Sequence, residues 1–374
     1  MSLKGHVLTR LRSRYTDFAA AAVQDDLEEQ FPKDGISILR ETGCLRAVLP
    51  RSRGGMGLGW KADGDLFLFN LLRAVGGAHL SCARLYEGHV NAFQLLWTFG
   101  NPTQRDELCG YVDSGELLGV WNAPSPAGEL LVFDDGERLL LVGSKAYASG
   151  AGGIRRPLVT ARHAEWGLVM VWPDSEYSIG PLTEWLMHGM RASMTCSVGF
   201  NSEISPAQIF GQADDYHAQP QFSGGSWRFL AAQLGAGEAI VEVMRAELVR
   251  RGRTEDPHQR ARMTQCATAL ETSAKWVRDS MRMLSDSGVS IEQIIQHANG
   301  ARVVVERALL TVIETVQRSV GLQLFSRTHP CERMMRDLAT YLRQPAPDAL
   351  LESIGKYAFS QEWPSLSGGK YDGE

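Results

Sequence analysis

The sequence predicts a mixed α+β chain in three successive parts: an all-α part, an all-β part and a four-helix bundle. Two changes of texture carry that expectation. Up to residue 115 apolar residues recur at helical spacing. From 116 they come in short runs broken by Gly, Pro and Asp, and from 222 helical spacing returns over longer stretches. Length is the third observation, because 374 residues exceed what one core usually organises. The expected divisions are an N-terminal helical domain at 1–115, a central β domain at 116–221 and a C-terminal bundle at 222–364. The polar, glycine-rich stretch at 365–374 reads as a flexible tail.

The first part opens with VLTRLRSRYTDFAAAAVQDDLEE, an amphipathic helix. DGISILRETG follows, with Asp34 as N-cap candidate and Gly43 as its stop. RSRGGMGLGW reads as a loop between helices. It follows no strand and lacks the Lys-Ser/Thr pair, so neither nucleotide fingerprint fits. DLFLFNLLRAVGG, LSCARLYEGHVNAFQLLWTFG and PTQRDELCGYVDSG read as three more helices. In the middle part, ELLGVWNA, ELLVFDDGERLLLVGSKAYASG, RRPLVTARH and WGLVMVW read as strands, with DDGE the clearest hairpin turn. The last part holds four long helix candidates, the last of them, in THPCERMMRDLATYLRQPAPD, expected to stop at Pro345 and Pro347.

The net charge of -5, with arginines dispersed among acids, gives no footprint for nucleic acid. The six cysteines form no CxxC pair and no zinc-spaced cluster, so no metal site is expected and the thiols read as buried in a reducing compartment. No apolar run reaches membrane-spanning length and no signal-peptide core is present, so the expected location is cytoplasmic.

Three stretches stand out chemically. YEGH sets Glu87 and His89 inside an apolar helix, where a charge is costly unless it meets water, a partner or a cavity. Two residues apart, they do not share a helix face. GSKAYASGAG is a strand ending in small residues, which lets backbone N–H groups approach a ligand, although a tight turn explains it as well. RFLAAQLGAGEA suits close helix packing, and Arg228 is the residue that packing does not explain.

These segments, in this order, resemble the acyl-CoA dehydrogenase superfamily. The resemblance rests on LRETGCLRAVLPRSRGGMGLGW, GSKAYASGAG, GMRASMTCSVGFNSEISPAQIFG, RFLAAQLGAGEA and CERMMRDL, and covers nearly the whole chain. It implies that the central β domain is barrel-like and that the protein is a flavoprotein with FAD between that domain and the bundle. It also implies a homo-dimer or tetramer in which a neighbouring subunit completes the cofactor site. Carried over by position, Asn122 lies beside the flavin ring, with Tyr147 and Ser149 at its second strand contact. Arg228 reaches the pyrophosphate of a neighbour's FAD. Gln317 and Gly321 contact the adenine half, with Val320 replacing one glycine of the family pattern.

The activity so implied is α,β-dehydrogenation of an acyl-CoA, with flavin N5 accepting hydride and a carboxylate removing the α-proton. Here both usual base positions are lost: one falls at Pro345 and the other at Trp227. The candidate replacements are Glu87, Asp348 and His89. Two alternatives remain. One is a flavin-dependent monooxygenase of the same fold, fed by a flavin-reductase or electron-transfer partner. The other is a non-catalytic scaffold.

Overall fold

The computed structural model describes residues 3–181 and 185–360. The expected tail at 365–374 lies outside the described residues. Helices α1 (Leu3–Ser13), α2 (Tyr15–Glu28), α3 (Lys33–Glu41), α4 (Asp65–Ala78), α5 (Leu80–Phe99) and α6 (Pro102–Asp113) come first. Local sequence fixes several of their ends. Asn101 and Gln104 form a reciprocal capping box at the start of α6, with Pro102 in the first turn. Asp34 does not cap α3: the helix begins one residue earlier, after Pro32, and Asp34 sits in its first turn. There a carboxylate still favours the positive end of the helix.

Among the described residues eight strands follow: β1 (Val120–Trp121), β2 (Leu131–Asp134), β3 (Leu139–Ala148), β4 (Leu158–His163), β5 (Gly167–Val171), β6 (Ser178–Ile179), β7 (Cys196–Ile204) and β8 (Ile209–Phe210). They form one sheet in the order β6-β7-β3-β2-β4-β5-β8, with β1 beside β4. The sheet is open, which corrects the barrel-like expectation. Its two end strands, β6 and β8, are two residues long and pair only inward, so among the described residues the ladder has no hydrogen bonds with which to close. The DDGE turn joins β2 to β3, whose antiparallel register runs from Leu131↔Val142 to Asp134↔Leu139.

The last part consists of α7 (Gln221–Gly224), α8 (Trp227–Arg250), α9 (Pro257–Leu284), α10 (Ile291–Val320), α11 (Pro330–Tyr341) and α12 (Pro347–Ser360). The late helix does stop before the prolines, but Pro347 then opens α12, where its missing N–H costs nothing. α8 is the axis of the molecule, packed on α4, α5, α9, α10 and α11. Small residues make this possible. A Cβ on Gly76 would lie 2.1 Å from the Ala232 carbonyl oxygen, and one on Gly235 would lie 2.0 Å from that of Arg73. The backbones of α4 and α8 therefore touch, and no larger residue fits at either point.

One ionic group ties three distant segments. Asp26 of α2 accepts hydrogen bonds from Arg191 (2.7 and 3.0 Å) and from Arg336 of α11 (2.8 Å). The neighbouring Asp337 accepts from the backbone N–H of Met190 at 2.6 Å and from Arg333 at 3.0 Å. The adjacent Arg-Asp pair of the late helix thus clamps the Met190–Arg191 segment between α2 and α11. All six cysteines are buried and none forms a disulfide.

Candidate functional site

Two groups of polar side chains sit at the seams between these parts. The first lies where α5 meets α8 and α11. Glu87, 3% exposed, is surrounded by donors: Arg84 on one carboxylate oxygen with the Tyr341 hydroxyl at 3.4 Å, and Asn91 on the other at 2.5 Å. Arg84 nevertheless keeps 29% of its side chain accessible. Gly88, beside it, is buried but faces open space: a Cβ there would meet only the Arg84 Nη1, at 3.9 Å. Burial pushes the Tyr341 hydroxyl well above its usual pKa and that of Tyr216, also near Arg84, up to about 12. Both stay protonated donors.

His89 belongs to the core instead. Its Nε2 lies 2.9 Å from the Leu45 carbonyl and its Nδ1 accepts from the Leu118 N–H at 3.1 Å. Burial pushes its pKa down to about 4, so the ring is neutral and both nitrogens are used. Asp348 is exposed, in the first turn of α12. The three candidate bases are therefore not brought together.

Arg228 opens α8 with its guanidinium turned inward. It donates to Asn91 (2.7 Å), Gln94 (2.6 Å) and the Gly59 carbonyl (3.2 Å), and is 4% exposed. The two terminal nitrogens of the guanidinium are thus engaged within its own chain, while Nε is buried without a hydrogen-bond partner among the described residues. Just before it, Ser226 Oγ and Trp227 Nε1 are likewise buried without a hydrogen-bond partner among the described residues. Such orphans are rare in folded proteins. Gln317 and Gly321 stand beside the other end of α8, where Arg251 contacts the Val320 carbonyl at 3.5 Å. At 1.5 Å per residue they lie roughly 35 Å from Arg228 along that helix.

The second group lies at the strand ends. The Trp121 indole donates to the Ser149 carbonyl at 2.9 Å, which draws the ends of β1 and β3 together. This brings Asn122 and Ser149 into one corner. The Ser149 hydroxyl pairs with that of Thr195 at 3.0 Å, and Thr195 with that of Ser193 at 2.8 Å. Between Lys145 and Ala148 the β3–β7 register shifts, and Tyr147 takes a left-handed φ of 53°. The bulge turns its ring outward, 65% exposed. An aromatic residue in that conformation is strained, and such strain clusters at functional sites. The corner thus combines the half-buried polar side chains of Asn122 and Ser149 with the exposed ring of Tyr147, backed by the buried Thr195 hydroxyl.

Sequence reading passed over Arg84, Lys145 and Thr160. Arg84 carried a signal, standing three residues before Glu87 on one helix. So did Lys145, which shares the inward parity of Leu139 and Leu141 on β3.

The helix–sheet–helix order is an α–β–α architecture, and it is the fold of solved flavin-bound enzymes. No family model matches the chain. The 3-sulfinopropanoyl-CoA desulfinase of Variovorax paradoxus is 28% identical over 163 residues, 41% of this chain and 39% of that enzyme. The desulfinase of the same description from Advenella mimigardefordensis is 24% identical over 349 residues, 86% of this chain and 84% of that enzyme. Isobutyryl-CoA dehydrogenase of Dictyostelium discoideum is 25% identical over 358 residues, 88% and 82% of the two chains. By structure, the FMN-bound dibenzothiophene monooxygenase TdsC of Paenibacillus sp. A11-2 superposes with a TM-score of 0.83. It is 19% identical and covers 96% of this chain and 99% of its own. These similarities point to the acyl-CoA dehydrogenase-like flavoproteins and their atypical relatives, whose fold this chain shares.

Proposed function

We propose that this protein is a flavin-dependent monooxygenase of the acyl-CoA dehydrogenase fold, using reduced flavin and oxygen. The observation that carries the reading is the lack of a poised base. The positions expected to hold one are Pro345 and Trp227, and Glu87 is already engaged by Arg84, Asn91 and Tyr341. α,β-Dehydrogenation needs a carboxylate that reaches the substrate proton. Oxygen transfer from a reduced flavin does not.

The flavin ring would lie in the strand-end corner, with Asn122, Ser149 and Thr195 along its polar edge and Tyr147 against its face. When bound, it supplies the redox chemistry. The protein's own groups bind, orient and exclude water. Arg84 and Tyr216 would hold the polar end of the substrate near Gly88. A guanidinium on a partly exposed side chain suits an oxyanion, and a sulfinate such as that named in the desulfinase relatives has that character. The bound FMN of TdsC supports a mononucleotide as readily as FAD.

The test is anaerobic mixing of the flavin-loaded protein with acyl-CoAs, followed by turnover with a flavin reductase, oxygen and either dibenzothiophene or an alkyl sulfinate. The expected result is an unchanged oxidised-flavin spectrum in the first experiment. In the second, labelled dioxygen should appear in the product. Bleaching by an acyl-CoA without oxygen would overturn the proposal in favour of a dehydrogenase. In that case Glu87→Gln, which keeps shape and removes basicity, would have to abolish the bleaching.

A further inference from the structure

The strand-end corner contains a buried amine that the reading above leaves without a task. β1 runs parallel to β4 with Trp121 opposite Val159, so Asn122 and Thr160 come level one step further on. Lys145, 3% exposed, reaches across from β3. Its Nζ donates to the Asn122 backbone carbonyl and to the Thr160 hydroxyl, each at 3.0 Å. The Thr160 hydroxyl in turn donates to the Asn122 side-chain oxygen at 2.6 Å. Thr160 is 1% exposed, whereas Asn122 is half-buried.

Two observations set the direction of this chain: the ammonium at one end and the Asn122 side-chain oxygen facing the Thr160 hydroxyl at the other. An ammonium group has only donors, so the Thr160 oxygen must accept from Lys145. The hydroxyl has one hydrogen, and it goes to Asn122. Asn122 must therefore present its oxygen to Thr160, which turns its NH2 group away, toward the open side of the corner. We infer that Lys145 is a positioning residue that fixes the Asn122 carboxamide as a hydrogen-bond donor toward a flat heteroaromatic ligand with acceptor atoms on its edge. Identifying that ligand as a flavin rests on the functional reading above.

Losing the ammonium proton would release this constraint. A neutral amine can accept as well as donate, the Thr160 hydroxyl could then reverse, and Asn122 could offer either end. Burial lowers the Lys145 pKa to about 8. Glu129 opposes that shift and Arg162 adds to it, and these two pair with each other at 2.9 Å. The donor face should thus be set at neutral pH and lost as pH rises through about 8.

The experiment is a fluorescence titration of the apoprotein with FMN and with FAD between about pH 6.5 and 9. Wild-type affinity should fall about tenfold across that range, the value of one well-made hydrogen bond. Lys145→Met should bind about tenfold more weakly at neutral pH, with no further fall at high pH. Thr160→Val should show the same loss, the double variant no additional loss, and Thr160→Ser should recover wild-type behaviour. Thermal melts would separate misfolding from loss of the relay, and the wild-type pH profile needs no variant. If Lys145→Met matched the wild type in affinity and profile, the relay would be wrong while the flavin reading stood. A wild-type protein that bound neither flavin at any pH would overturn both.

Discussion

His89 shows how far a residue's type can mislead when its surroundings are unknown. In the sequence it is an imidazole beside a carboxylate on a helix, a pairing suggestive of acid–base work. In the structure its Nε2 serves the Leu45 carbonyl and its Nδ1 the Leu118 N–H, so one neutral tautomer is fixed. Because burial lowers its folded pKa to about 4, the unfolded chain takes up a proton first, near the ordinary value of 6.5. Its contribution to stability is therefore full above about pH 6.5 and is lost as pH falls toward 4. The difference corresponds to about 3 kcal/mol. Denaturant unfolding between about pH 7 and 4.5 should show this loss in the wild type. His89→Phe, lacking both hydrogen bonds, should start about 2–4 kcal/mol less stable and show a flatter dependence. Equal pH slopes for the two proteins would reject this account.

At the scale of elements, the helix–strand–helix order could be read directly, because period and run length differ so strongly between these parts. The small residues of RFLAAQLGAGEA also announced a close contact, and α8 makes it with α4. Gly235→Ala is expected to lower stability by about 1–3 kcal/mol or more, since a backbone must move to admit the methyl group. An unchanged melting temperature would show that α4 can slide freely on α8. What could not be read was whatever depends on register. The Lys145–Thr160–Asn122 chain crosses three strands, and its members are far apart in sequence. The openness of the sheet was hidden as well, because strand signals do not say which edges meet. The inward turn of Arg228 depends on Asn91 and Gln94, residues of α5 that a linear reading has no reason to set against it.

At the scale of the molecule, the clamp on Asp26 matters most. Burial alone would raise the pKa of this carboxyl, but hydrogen bonds from Arg191 and Arg336 outweigh it and hold the pKa below the usual carboxylate range. The stability it confers is present above the unfolded value of about 4 and disappears as pH falls through the folded one. Asp26→Asn should cost about 2–4 kcal/mol at neutral pH, less than a fully buried pair because Arg191 is partly exposed. Chemical denaturation of the two proteins would measure this. Loss of less than about 0.5 kcal/mol, the size of an ordinary surface substitution, would mark the clamp as unimportant.

Three stretches of chain separated by more than a hundred residues share that one side chain, so none of the three can leave without exposing charges on the others. On heating, the helical and sheet regions are then expected to melt as one unit. Scanning calorimetry should give a single endotherm whose calorimetric and van't Hoff enthalpies agree, and Asp26→Asn should split it in two.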